Sequence, residues 1–322
     1  MSTYRWGIIG CGDVTEKKSG PAYQQTQNFY LHAVMRRDFA KAKDYALRHN
    51  VPNYYDDADA LINNPEIDAV YIATPPDSHE YYALKAAEAG KICCIEKPMA
   101  PSYEACKRIE QVFEQKNIPL FVAYYRRSLP RFLKVKSIID SGEIGKVRHV
   151  NYLYTRTPSP VDLSGKYNWR TDKNIAFGGY FDDLASHTID LFAFLFGTIT
   201  DANGYATKQQ DLYTAMDAVV GNWKHESGVT GTGSWNFATH KLQDRVEVIG
   251  EKGIIRFAIF NEESLFVERE NETEEIWIEN PNPIQLQHVQ NIEKHLSNIE
   301  THPSTGKTAT QTSWVLDKLL GK

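Results

Sequence analysis

Three ionisable side chains, Asp183, His187 and Asp190, recur at i, i+4 and i+7 within an otherwise apolar run. On a helix this spacing puts them on one stripe. Leu184, Ile189, Leu191, Phe192, Leu195 and Phe196 cover most of the remaining circumference, so the helix reads as buried. A polar group buried without a partner costs about 2–7 kcal/mol. The stripe therefore either satisfies itself as a structural network or faces a cleft where it can move protons. Imidazole, with an ordinary pKa of about 6.5, suits proton transfer near neutrality. One His and two Asp could also hold a metal, but no further ligand set accompanies them, and no metal is expected.

A second reactive grouping is Glu96-Lys97-Pro98, at the end of the apolar run Lys91 to Ile95. Neighbouring residues on a strand point to opposite faces, so Glu96 and Lys97 do not readily pair. One of them should look into a cleft; an ion pair between them is the structural alternative. A lysine there can stabilise a developing alkoxide, or act as a base if desolvation depresses its pKa. Pro98 leaves a cis bond open.

The third grouping lies at the start. Trp6, Ile8 and Ile9 read as a buried strand, and Gly10-Cys11-Gly12 follows at once. Two glycines allow a sharp turn and let a phosphate approach bare backbone. The third glycine of GxGxxG is replaced by Thr15, so the dinucleotide fingerprint is incomplete. The next strand, Leu31 to Met35, ends on Arg36 and Arg37. NAD-selective folds usually place an acid there for the ribose 2′-hydroxyl, whereas a guanidinium grips a 2′-phosphate. NADP is therefore favoured, with NAD possible. Asp38 reads as the N-cap of a helix from Phe39 to His49. Lys17 and Lys18 read as solvated or as facing the pyrophosphate.

The elements that must position these groups alternate from strand to helix. Ser19-Gly20-Pro21 interrupts the first helix, which resumes near Ala22. Further strands fall at Pro52 to Tyr55, Ala69 to Ala73, Lys91 to Ile95 and Leu120 to Tyr124. Asp57 and Ser102 cap intervening helices. Thr74-Pro75-Pro76 closes the Ala69 strand and is a candidate wall for a nicotinamide, because ligands sit at strand ends of parallel sheets. His79, in the next helix, reads equally as a cap or solvent residue and as a cofactor contact. The pattern implies a parallel Rossmann sheet over residues 1–124, an α/β fold.

Residues 125–322 read as a second, α+β domain. Arg126 and Arg127 lead into it as cofactor contacts or surface charge. The loop from Pro158 to Lys173 carries Tyr167, Trp169 and Arg170, types that line ligand sites, although Trp169 could simply anchor the loop. From Asn203 to Ile278 repeated strands imply an open, mostly antiparallel sheet. Its outward face, reading as Thr, Ser, Trp and Asn, could meet a second subunit. Helices Leu286 to Asn298 and Ala309 to Leu320 close the chain, the last able to pack back on the first domain.

Composition narrows the function classes. Of 322 residues, 42% are hydrophobic and 24% charged, as in soluble globular proteins. The net charge of −5 and the lack of a basic run disfavour nucleic acid. No apolar run approaches the roughly 20 residues that span a bilayer, and the N-terminus enters a strand without a leader. The four cysteines, Cys11, Cys93, Cys94 and Cys106, lack CxxC spacing and read as buried thiols of a cytoplasmic protein.

GIIGCGD, Thr74-Pro75-Pro76 with His79, Glu96-Lys97-Pro98, and Gly179-x3-Asp183-x3-His187-x2-Asp190 occur in one order. This set resembles the Gfo/Idh/MocA oxidoreductases (the glucose-fructose oxidoreductase and inositol dehydrogenase group) over essentially the whole chain. The resemblance implies hydride transfer between a nicotinamide cofactor and a secondary alcohol or ketone of a sugar or polyol. It implies Lys97 near the nicotinamide and the reacting carbon. His187 or Lys97 would move the hydroxyl proton, and Asp183 would orient its partner. Glu96 and Pro98 would shape the nicotinamide pocket, and Trp169-Arg170 would approach the cofactor. The cofactor-binding set is then Gly10, Gly12, Asp13, Val14, Arg36, Arg37, Thr74, Pro75, His79, Glu96, Lys97, Trp169 and Arg170. The substrate-binding set is Lys97, Tyr125, Asp183 and His187. Ala185 replaces a glycine common in the family's helix motif, and Tyr125 stands where many members have Asn. Association as a homodimer or homotetramer through the second sheet is also implied. Two relatives' activities are the alternatives: NAD-dependent glycosidic cleavage, and non-enzymatic dinucleotide-responsive regulation. Lys97, Asp183 and His187 argue against the latter, since a sensor needs no proton-transfer set.

Overall fold

A computed structural model describes residues 3–322. The chain forms two compact units. The first comprises Met1–Leu129 and Pro281–Thr310, the second Pro130–Asn280 and Gln311–Lys322.

In the first unit, strands β1 (Tyr4–Ile9), β2 (Phe29–Met35), β3 (Asn53–Tyr55), β4 (Ala69–Ile72), β5 (Ile92–Ile95) and β6 (Leu120–Val122) alternate with helices. These are α1 (Asp13–Lys17), α2 (Gly20–Gln25), α3 (Phe39–Arg48), α4 (Ala58–Ile62), α5 (His79–Glu88) and α6 (Tyr103–Gln115). The sheet is parallel in the order β3-β2-β1-β4-β5-β6. That is the doubly wound dinucleotide-binding order, whose crevice opens at the β1/β4 switch. Strand residues such as Ile8, Ile9, Val70, Tyr71 and Ile72 are wholly buried, as a sheet covered on both faces requires.

The break between α1 and α2 falls at Ser19, and what replaces the third fingerprint glycine is visible there. Thr15 turns its hydroxyl back to the Gly12 carbonyl at 2.8 Å, and its own carbonyl accepts from the Tyr45 hydroxyl at 2.9 Å. The close approach has moved to Gly20, where a Cβ would meet the Thr15 oxygen and the Tyr45 hydroxyl at 2.4 Å.

Gly10 has φ +94, and a Cβ there would lie 2.7 Å from Thr74 Cγ2 and 3.0 Å from the Ala73 and Thr74 backbone. Backbone cannot yield as a side-chain tip can. Gly10→Ala is therefore expected to lose about 2 kcal/mol in urea denaturation of the full chain. Gly12→Ala, whose added carbon meets nothing nearer than 3.9 Å, should change stability by less than about 0.5 kcal/mol.

The returning segment finishes this unit. Phe121 and Thr305 form an antiparallel bridge, and the Ser304 hydroxyl donates to the Val122 carbonyl at 2.7 Å. Here the structural division differs from the sequence division at 124/125, which gave the second domain everything later and let only the last helix pack back on the first. Tyr125 and the turn Tyr125–Ser128 belong with the first unit. Arg127 donates to the Pro303 carbonyl at 2.9 Å, and Asn291 donates to the Ser128 hydroxyl at 3.0 Å. Of the two closing helices, Leu286–Leu296 joins the first unit, and the residues from Gln311 onward join the second.

In the second unit, α7 (Pro130–Asp140), β7 (Val147–Thr155), α8 (Pro160–Leu163) and α9 (Tyr180–Phe196) precede seven strands. These are β8 (Ile199–Thr207), β9 (Ala218–His225), β10 (Thr230–Asn236), β11 (Gln243–Gly250), β12 (Gly253–Phe257), β13 (Leu265–Arg269) and β14 (Glu272–Ile276). The sheet runs β14-β13-β12-β11-β7-β10-β9-β8 and is antiparallel except for the parallel pair β7/β10. α9 packs on one face, with Phe181 edge-on to Trp235 at 5.1 Å and Phe192 stacked on Trp223 at 5.7 Å. Both tryptophans are thus inside, not on the outward face as the sequence suggested. Gly231 and Gly233 make room for them: a Cβ would strike Trp223 at 2.2 Å and Trp235 at 2.5 Å respectively. The outward face carries Asn222, Thr230, Thr232 and the half-exposed Val220.

Candidate functional site

The first unit brings its candidate residues to the strand ends. The Gly10–Gly12 turn hangs from β2, with both Gly10 and Cys11 donating N–H to the Met35 carbonyl at 2.9 and 3.1 Å. Arg36 reaches over this turn and donates to the Cys11 carbonyl at 3.2 Å, while Arg37 stands exposed beside it. Asp38 is committed to its own helix: its carboxylate accepts the Lys41 N–H at 3.1 Å and pairs with the Lys41 ammonium at 3.3 Å. Asp13 is exposed and Val14 half-buried at the mouth of the turn. Lys17 and Lys18 are exposed.

Thr74 and Pro75 follow β4, with the Thr74 hydroxyl accepting from Ser78 at 2.7 Å. His79 is fully buried, so solvent does not claim it. Its Nε2 lies 2.7 Å from the Thr74 carbonyl, and its Nδ1 lies 3.1 and 3.2 Å from the carbonyls of Pro98 and Met99. The ring therefore ties the Thr74 loop to the turn after Lys97. Burial pushes its pKa below the ordinary value, against the pull of those carbonyls.

The Lys97-Pro98 bond is cis. Glu96 turns inward and is buried. Its carboxylate accepts from the Tyr71 hydroxyl, from Gln285 at 2.9 Å and from the Lys97 backbone N–H at 3.1 Å. The Lys97 side chain is half-buried. Tyr125 is buried, with the Arg126 guanidinium 5.0 Å over its ring.

In the second unit α9 carries the polar stripe. Its entry is set by Gly179, at φ +64, where a Cβ would meet the Met216 carbonyl at 2.6 Å. Asp183 accepts from Arg170 Nε at 3.1 Å, and the Arg170 guanidinium lies 4.3 Å over the Trp169 ring. Trp169 and Arg170 thus form one assembly with Asp183. His187 is only 4% exposed, its ring edge-on to Phe260 at 6.2 Å. Asp190 sits deeper and accepts from Thr312 at 3.4 Å, so the stripe divides: its inner end ties down the last helix. Asp182, off the stripe, accepts the Gly178 N–H at 2.9 Å, and burial pushes its pKa up to about 6.

Phe260 is placed by a clamp that no motif announced. The Asp244 carboxylate accepts the N–H groups of Ile259, Phe260 and Asn261 at 3.1, 2.5 and 3.0 Å, and the Tyr152 hydroxyl at 3.1 Å. Arg131 holds the same turn by its carbonyls, donating to Ala258 at 2.5 Å and Asn261 at 2.8 Å. Tyr154 packs on Phe260 at 5.5 Å. Burial raises the Tyr154 pKa, Arg156 opposes the rise, and Asp244 and Asp183 add to it.

Among the described residues, no group of three or more His, Cys, Asp or Glu is arranged to hold a metal ion, and no helix is long and apolar enough to cross a membrane.

Two family models match the chain. One, an oxidoreductase family with an NAD-binding Rossmann fold, covers residues 4–124; the other, a GFO/IDH/MocA C-terminal domain, covers residues 132–256. The chain belongs to the Gfo/Idh/MocA oxidoreductase family. As a Gfo/Idh/MocA protein it is 36% identical over 322 residues to Oxidoreductase P35 of Formosa agariphila, covering 99% of both chains. It is 30% identical over 242 residues to a levoglucosan dehydrogenase of Pseudarthrobacter phenanthrenivorans, covering 73% of this chain and 58% of that one. A solved levoglucosan dehydrogenase in complex with NADH has the same fold, with a TM-score of 0.88 at 22% identity over 99% of this chain and 96% of that one. Of the candidate residues of this Gfo/Idh/MocA chain, Tyr125, Arg126 and Arg127 fall between the two matched segments.

Proposed function

We propose that the chain is an NADP(H)-dependent dehydrogenase that interconverts a secondary alcohol and a ketone on a sugar or polyol. The first unit fits the cofactor on its own geometry. Gly10 makes the tight turn, and the open position at Gly12 leaves bare backbone for a pyrophosphate. The Gly10–Val14 backbone, Thr74 and Pro75 would hold it, and Arg36 and Arg37 would take a ribose 2′-phosphate. When bound, the nicotinamide supplies a hydride acceptor or donor at C4.

The remaining chemistry belongs to the chain's side chains. Loss of hydride from a carbinol leaves a protonated carbonyl unless the hydroxyl proton departs as well. His187, or Lys97, takes that proton, and the Lys97 ammonium stabilises charge developing on the oxygen. Asp183, oriented by Arg170, aligns its proton-transfer partner. The observation that carries this reading is α9 itself, a helix that buries an imidazole one turn from a carboxylate fixed by arginine. The levoglucosan dehydrogenase relative supports a sugar or polyol as substrate. Four buried thiols support a reducing compartment, the cytoplasm. The outward face of the second sheet, with Val220 and Tyr205 exposed, supports a homodimer or homotetramer.

The test is a panel of sugars, inositols and keto-sugars offered with NADP(H) and NAD(H) in parallel. Turnover of a sugar or polyol with NADP(H) is expected; a panel inert with every cofactor form rejects the reading. Arg37→Glu should lower kcat/KM for NADPH about 30-fold, the loss of one charge-assisted phosphate contact, and leave NADH use within a few-fold. Equal effects on both cofactors would reject the NADP assignment.

A further inference from the structure

We infer that Tyr71 and Gln285 are positioning residues for Lys97, acting through the Glu96 carboxylate. The inference rests on Lys97 serving the reaction as proposed above. Glu96 is 7% exposed at the end of β5. One of its oxygens, Oε1, accepts from both the Tyr71 hydroxyl and Gln285 Nε2, and the other, Oε2, accepts the Lys97 N–H. These three donors are neutral.

A buried carboxylate is costly to desolvate and stays in place only when its oxygens are well hydrogen-bonded. An apolar side chain would fill this strand end at less cost, so the carboxylate has a use beyond stability. Its geometry shows which one. With Oε1 held from two sides, Oε2 is fixed, and so is the peptide plane that begins Lys97. Alternation at the strand end then directs the lysine away from the side that Glu96 occupies. The far side of the turn is fixed as well, because His79 holds the carbonyls of Pro98 and Met99. The donors come from separate places: Tyr71 from β4, beside Cys94 in register, and Gln285 from the returning segment. That segment thus sets the aim of a lysine 188 positions earlier (285 − 97).

The test uses the full-length enzyme with NADPH. Tyr71→Phe and Gln285→Met each remove one donor and keep the shape. Each should lower kcat about tenfold, with substrate KM and NADPH Kd within twofold, because a displaced reactive group costs rate more than binding. Both donors meet at one oxygen, so the double variant should depart from the product of the single effects. Gln285→Glu supplies the rescue. When protonated it can donate to Oε1, and two adjacent carboxylates retain a shared proton to unusually high pH. Its kcat should recover as pH falls, while that of Gln285→Met should not. The titratable groups around Glu96, namely Tyr23, Tyr71, His79, Cys94 and Lys97, are common to both variants and cancel in that comparison.

Unchanged kcat in Tyr71→Phe and Gln285→Met, with Lys97→Ala inactive, overturns the inference and leaves the proposed function standing. So does a fall in kcat matched by an equal loss of NADPH affinity, which marks a purely structural network. Full activity in Lys97→Ala overturns the functional reading itself. If Gln285→Met does not fold, Tyr71→Phe carries the same test.

Discussion

Lys97→Ala binds NADPH with nearly unchanged affinity and turns over about 10³-fold more slowly. That factor corresponds to about 4 kcal/mol of lost transition-state stabilisation. Removing the ammonium leaves oxygen charge in the transition state without its electrostatic partner, whereas the dinucleotide contacts proposed for the glycine turn and β2 end are untouched. The turn itself should survive the substitution. Its restraints are the Lys97 N–H on Glu96 and the Pro98 and Met99 carbonyls on His79, and none uses the lysine side chain. NADPH fluorescence titration gives the binding arm, and steady-state oxidation of the best panel substrate gives the rate. Retained binding with retained turnover would remove Lys97 from the mechanism.

Asp244→Ala has the largest expected effect on stability, about 4 kcal/mol of the second unit's unfolding free energy. The carboxylate serves four donors, three of them backbone N–H groups in one turn. Alanine strands them, and each unsatisfied donor costs about 1–3 kcal/mol before the turn relaxes. Asp244→Asn keeps one acceptor oxygen and should lose about half as much. Urea denaturation followed by tryptophan emission checks this, since Trp223 and Trp235 lie in the core of that unit. A loss under about 1 kcal/mol would mean that the Arg131 contacts alone hold the turn. The same variant should also raise substrate KM, because the turn carries Phe260 against His187.

What could be read from the sequence is local. Asp38, Asp57 and Ser102 were legible as caps because a cap depends on a few consecutive residues, and each accepts a first-turn N–H of its helix. The break at Ser19-Gly20-Pro21, the six strands of the first unit and the stripe on α9 follow from the same short-range rules. The partners of Glu96 were not legible, since Tyr71 and Gln285 reach it only through strand order and a returning chain. The Asp244 clamp has no spacing signature either, because it joins the start of β11 to the turn that follows β12, 15 to 17 residues on. Trp223 and Trp235 read from the sequence as outward and lie inside. Alternation fixes two sets of residues but not which is inside, and of the glycines that admit the indoles Gly231 lies opposite Trp223 on the neighbouring strand while Gly233 lies two residues before Trp235 on its own. Tyr125 reads as part of the later domain because the apolar run stops at Tyr124, whereas Arg127 and Ser128 bind residues made much later.

The return of Pro281–Thr310 to the first sheet has a consequence for biosynthesis. The amino-terminal unit cannot be completed as it leaves the ribosome. Until Ser304 and Thr305 are translated, the outer backbone of β6 stays an open edge, and such edges template aggregation. The nascent chain must carry that edge while Pro130–Asn280, most of its other unit, is synthesised, and a chain cut short near Asn280 would yield a nucleotide-binding half that never closes.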